Sequence, residues 1–168
     1  MLNIFNELQV FFNDCYRRVS VREYAKIARV SPPTASKILQ NYEKEGILTK
    51  EIDRGYHFYS AHRDNIVFLH LSRLYWAQRL GSIAKHLEHE LIDPTIILFG
   101  SLAKAEATQS SDVDIALFAS KDIDIHRFEK ELGRPIQLFR YKSLKEIKNR
   151  ELAANIINGY VLRGLIRV

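Results

Sequence analysis

The amino-acid sequence predicts an α+β chain: a helical N-terminal part closed by a hairpin, a long connecting helix, and a small C-terminal α/β part. Three observations carry this. Apolar residues recur at helical spacing from Ile4 to Tyr42, then switch to two short runs around Asp53-Arg54-Gly55. Residues 63–91 hold a broad apolar surface with no proline. Beyond residue 92, short apolar runs alternate with helical stretches. The expected boundaries are 1–62, 63–91 and 92–168.

Ile4, Phe5, Leu8, Phe11 and Phe12 place a first helix near 3–13. Ser20, with Glu23 three residues on, is a capping box opening a second helix that ends near Val30. Ser31 caps a third helix, with Pro32 and Pro33 in the first turn, where a missing N–H costs little. Ala35, Ile38, Leu39 and Tyr42 form its apolar face, and Gly46 stops it. Ile47–Ile52 and Tyr56–Tyr59 flank the Gly55 turn as a hairpin. The long helix over 63–91 carries Ile66, Leu69, Leu74, Leu80, Ile83 and Leu87, a surface wide enough to link two parts or to form a homodimer. Strands follow at 95–99, 113–118 and 135–140, with helices over 102–107, 124–132 and 144–157.

Composition narrows the function classes. The chain has 168 residues, enough for one ordinary domain or two small ones. A charged fraction of 27% and an apolar fraction of 46% argue against disorder. No apolar run reaches the roughly 18 residues of a membrane span, so no membrane partner is expected. Cys15 is the single cysteine, which excludes an intrachain disulfide and a multi-cysteine zinc site. The first residues lack a basic stretch ahead of their apolar ones, so a signal peptide is not expected and a cytoplasmic location is. Net charge is +5, split as +2 over residues 1–62 and +3 over the rest. Arg140, Lys142, Lys145, Lys148 and Arg150 cluster near the C-terminal helix and read as a solvated face. A nucleic-acid partner must therefore be argued from motif and geometry.

Residues 20–48, SVREYAKIARVSPPTASKILQNYEKEGIL, resemble the winged helix-turn-helix domains of bacterial and archaeal transcription regulators. That resemblance implies a DNA-binding recognition helix beginning at Ser31. Ser31, Thr34, Ser36 and Gln40 can meet base edges or phosphates, and Lys37 can meet phosphate or guanine. Lys50 and Arg54 on the hairpin can reach an adjacent groove of double-stranded DNA.

The informative chemistry lies in Gly100-Ser101, ten residues, then Asp112-Val113-Asp114. Gly100 permits a sharp turn and close approach to a ligand. Ser101 and the free N–H groups of the helix start can bind phosphate oxygens. Asp112 and Asp114, two apart on a strand, point to one face. Their mutual repulsion is relieved by a divalent cation, and oxygen-only ligation suits Mg²⁺ held in turn by triphosphate oxygens. A phosphate cradle beside such a pair is the apparatus of nucleotidyl transfer.

This constellation resembles the signature of the DNA polymerase beta nucleotidyltransferase superfamily, and in particular its minimal archaeal and bacterial branch, over residues 94–164. The resemblance implies a small fold with a mixed sheet. It implies Gly100 and Ser101, with Lys104 beside them, on the phosphates of ATP or GTP, and Asp112 and Asp114 on Mg²⁺ as the catalytic pair. The family's third carboxylate falls on the next strand, where this sequence has Gln137. Glutamine hydrogen-bonds but is no carboxylate base. Asp122 and Asp124, in the preceding loop, are poorer candidates for that role. Two functions follow. One is a nucleotidyltransferase that moves a nucleoside monophosphate to a hydroxyl on a protein, a small molecule or an RNA end. The other is a DNA-binding transcriptional regulator or antitoxin-like protein whose nucleotidyltransferase fold is weak or inactive. Small nucleotidyltransferases of this kind often pair with helical HEPN-type toxins.

Overall fold

A computed structural model describes residues 3–121 and 123–166. They fall into two compact units. The first holds Met1–Tyr75 with Ala105–Gln109, and the second holds Trp76–Lys104 with Ser110–Val168.

The first unit runs α1 (Asn3–Asn13), β1 (Val19–Ser20), α2 (Val21–Ala28), α3 (Pro32–Lys44), β2 (Leu48–Asp53), β3 (Tyr56–Ala61) and α4 (Ile66–Arg79) through Tyr75. The α2 start is a full capping box: Glu23 N donates to Ser20 Oγ at 3.3 Å and Ser20 N donates to the Glu23 carboxylate at 2.9 Å. Arg29 ends the helix in the left-handed region. Ser31 accepts from Thr34 N, and Pro32 opens α3 as expected. The hairpin turns on Arg54 and Gly55, both at positive φ, the geometry a two-residue loop demands. Its sheet has the order β1-β3-β2, all antiparallel. The strand at Val19–Ser20 has no signal in the sequence beyond its length of two residues. It forms because Val19, fully buried, pairs with Tyr59. The core is aromatic: the Phe12 ring lies 5.4 Å from Phe68 and 5.0 Å from Tyr75. Ala105 and Ala107 are buried, and Cys15 N donates to Ala107 O at 2.7 Å.

The expected single helix over 63–91 is two helices. Asn65 Oδ1 accepts from Val67 N at 2.7 Å and so delays the start to Ile66. Leu80, with ψ near 3°, interrupts the helix ahead of α5 (Gly81–Glu90). Gly81 costs about 1 kcal/mol of helix propensity relative to alanine at that point.

The second unit continues with β4 (Thr95–Phe99), α6 (Gly100–Ala103), β5 (Val113–Phe118), α7 (Arg127–Leu132), β6 (Ile136–Tyr141), a 3-10 turn (Leu144–Glu146), α8 (Arg150–Ile157) and β7 (Tyr160–Arg163). The sheet order is β6-β5-β4-β7. β5 and β6 are parallel while β4 is antiparallel to both β5 and β7, so the sheet is mixed, as the resemblance implied. One face carries Ile97, Phe99 and Ala116, packed with Ile147 and Ile156. The expected helix over 144–157 is broken because Asn149 starts a new one, accepting from Glu151 N and Leu152 N. The expected 102–107 helix stops at Ala103, because Ala105 takes a left-handed φ of 56°. Among the described residues, no helix is long and apolar enough to cross a membrane.

Candidate functional site

Strand register assembles the acidic pair. Phe99 is opposite Asp114, and Asp114 is in turn beside Gln137, so the three lie in one row on one face of the sheet. Asp112 precedes Asp114 by two residues and reaches the same face. Gln137 Nε2 donates to Asp112 Oδ2 at 2.5 Å. The position where a third carboxylate would stand therefore points an amide donor at the pair. Asp122 lies outside the described residues. Asp124 accepts from His126 N at 2.9 Å in the loop before α7.

Gly100 closes the other side. Its φ of +70° is a left-handed conformation, and a Cβ there would stand 2.0 Å from Asp114 Oδ2. No L side chain fits against that carboxylate. The backbone of the β4–α6 turn thus comes right up to the Asp114 carboxylate. The helix that follows is only four residues long. It contributes little macrodipole.

Burial, with the Asp112 charge beside it, raises the Asp114 carboxyl above its ordinary range. Two half-buried carboxylates side by side suit a divalent cation. Among the described residues, no group of three or more His, Cys, Asp and Glu gathers to hold a metal. Asp112 and Asp114 alone offer two carboxylates, so a hard divalent cation held there would need further oxygen ligands from a substrate or water.

Lys104 is exposed at the end of α6, where its Nζ donates to Asn155 Oδ1 of α8 at 2.8 Å. Asn155 did not stand out in the sequence. It is 51 residues away, and an asparagine inside a helix carries no motif.

The candidate DNA-contacting residues lie in the first unit. Thr34, Lys37 and Gln40 are exposed along α3. Ser36 is half-buried and accepts from Gln40 Nε2 at 2.9 Å. Ser31 Oγ and Thr34 Oγ1 hydrogen-bond each other at 2.8 Å, which engages both hydroxyls at the helix start. Lys50 and Arg54 are exposed on the hairpin. Lys50 shares its sheet face with Ile52 and His57, whereas Glu51 and Asp53 occupy the other face. There Arg18 bridges both acids, at 3.1 and 2.9 Å, an ion cluster that sequence spacing did not disclose.

No curated protein and no solved structure matches the chain. Residues 81–162 match the family model described as polymerase beta, nucleotidyltransferase, so this part of the chain is similar to nucleotidyltransferase domains.

Proposed function

We propose that the protein binds a nucleoside triphosphate with Mg²⁺ at Gly100, Ser101, Asp112 and Asp114, as a nucleotidyltransferase, and binds double-stranded DNA through α3 and the β2–β3 hairpin. The observation that carries the first part is the meeting of the Gly100 backbone and the Asp114 carboxylate, so close that no side chain at position 100 fits between them. Ser101 would hold phosphate oxygens, and Lys104, fixed by Asn155, would add a positive charge. The cation would supply charge neutralisation on the triphosphate. In transfer, an acceptor hydroxyl oxygen bonds to the α-phosphorus and pyrophosphate leaves.

A second reading rests on Gln137. Its amide donates to Asp112 but offers no base to take the hydroxyl proton. Binding without fast transfer is then the outcome, and the nucleotide would act as a signal to a DNA-binding regulator. Pyrophosphate release from ATP and GTP, measured with and without Gln137→Glu, separates the two. Release by the wild-type chain supports transfer. Release only after the substitution supports the regulator, and binding with no release from either would count against transfer altogether.

The DNA part is supported by the exposed row Thr34, Lys37 and Gln40, and by the segregation of Lys50 from the hairpin acids. Electrophoretic mobility shift with duplex DNA at stepped salt tests it: binding that weakens with salt is expected, and no shift at low salt would contradict it.

A further inference from the structure

Three hydrogen bonds around Asp112 come from one stretch, Arg134-Pro135-Ile136-Gln137. Arg134 Nη1 donates to the Ser111 carbonyl at 2.5 Å, just before Asp112. Val113 N, just after it, donates to Pro135 O at 2.9 Å. Gln137 holds the side chain itself. The stretch is tied down in turn by Ile136 N, which donates to Glu129 Oε1 of α7 at 2.9 Å. The peptides on both sides of Asp112 and its carboxylate are therefore set by the entry to β6.

Arg134 is the unusual member. It is 7% exposed, and its guanidinium lies 5.2 Å from the Trp76 ring centroid. A cation withdrawn from water persists only where its geometry offsets the lost hydration. A planar guanidinium can stack against an aromatic ring while one of its N–H groups holds a carbonyl. A structural lysine or an apolar residue would fill part of the space without doing both.

We propose that Arg134 is a positioning residue for the nucleotide and cation site, acting through the Ser111 carbonyl to hold Asp112 in register with Asp114. The proposal rests on the reading of Asp112 and Asp114 given above. Residues that orient a metal ligand typically change metal affinity by about 10- to 100-fold when removed. Small displacements of a ligand are costly because the reacting groups must be placed within a fraction of an ångström.

The test uses the full chain and Mn²⁺ as the probe, titrated by electron paramagnetic resonance, with amide hydrogen exchange at Asp112 and Val113 as a second readout. Arg134→Met is expected to weaken Mn²⁺ binding about tenfold and to speed exchange of both amides. Arg134→Lys, which keeps a donor and a charge but not the planar stack, is expected to recover only part of the affinity. The control is Arg79→Met: Arg79 also approaches Trp76, at 5.8 Å, and donates to Leu132 O. It is expected to leave both readouts unchanged even where it lowers the melting temperature. Undiminished Mn²⁺ affinity and exchange in Arg134→Met, or equal losses in Arg79→Met, would overturn the proposal. If Arg134→Met does not fold, Arg134→Gln, too short to reach Ser111, carries the same expectation. A wild-type chain that takes up no Mn²⁺ contradicts the metal site, and amide exchange then decides the role of Arg134 by itself.

Discussion

Gly100 and Asp114 stand closer than any side chain at position 100 allows, since a Cβ there would lie 2.0 Å from Asp114 Oδ2. The pair joins the end of β4 to the start of β5, and the site depends on that junction. Gly100→Ala is expected to lose on two counts: the backbone has a φ of +70°, and the added methyl displaces the carboxylate. Stability should fall by about 1–3 kcal/mol, as for other overpacked positions, and Mg²⁺-ATP affinity by about tenfold or more. Thermal melting and calorimetry check the two effects. Unchanged nucleotide affinity in a folded Gly100→Ala protein would show that the turn does not approach the ligand.

Gln137→Glu is nearly isosteric and replaces a donor by a carboxylate. Without cation, a third negative charge beside Asp112 and Asp114 should lower the melting temperature. With Mn²⁺ the order should reverse, because oxygen ligands and negative charge are added together. The check is the melting temperature of both proteins with EDTA and with Mn²⁺. A substitution that destabilises equally under both conditions would mean that residue 137 does not face the cation site.

The helical row on α3 and the hairpin residues make a salt-dependent prediction. Removing one side chain that neutralises a phosphate should reduce the slope of log affinity against log salt by about 0.9. Lys37→Ala with Arg54→Ala should therefore flatten the slope by about 1.8 if both meet phosphate. Fluorescence anisotropy with a labelled duplex, over a range of salt, measures this. An unaltered slope would remove these two residues from the interface.

The capping box gives a pH dependence. The Ser20 backbone N–H holds the Glu23 carboxyl below its ordinary value of 4.5. A carboxylate lowered in the folded state stabilises the fold above that value, and the contribution is lost as pH falls through the lowered one. Glu23→Ala should thus destabilise the protein at neutral pH and cease to differ from wild type in strong acid. Ser20→Ala should cost about 1 kcal/mol. Urea denaturation at several pH values tests both. A Glu23→Ala difference that persists at the acid end would contradict the capping role.

What was legible in the sequence was local. Ser20 with Glu23, Ser31 with Pro32, and the Arg54-Gly55 turn each act through neighbours in the chain, so their signals survive as short patterns. The Gly100-Ser101 and Asp112-Asp114 motif stands out by its spacing, and strand register sets Phe99, next to Gly100, opposite Asp114. The break at Leu80 was hidden because apolar spacing continues across it. The strand at Tyr160–Arg163 holds only the short apolar run Tyr160-Val161-Leu162 in the sequence; pairing with β4 makes it a strand. Asn155 on Lys104 and Arg134 on Ser111 were out of reach because folding, not spacing, brings them together.

The most direct measurement is calorimetric titration of the full chain with ATP and with GTP, in Mg²⁺ and then in EDTA, beside the Asp112→Ala, Asp114→Ala double variant. The expected result is Mg²⁺-dependent binding of at least one nucleotide by the wild-type chain, absent in a double variant that remains folded by circular dichroism. Binding that survives in EDTA or in the double variant, or no binding of either nucleotide, would contradict the assignment of this site.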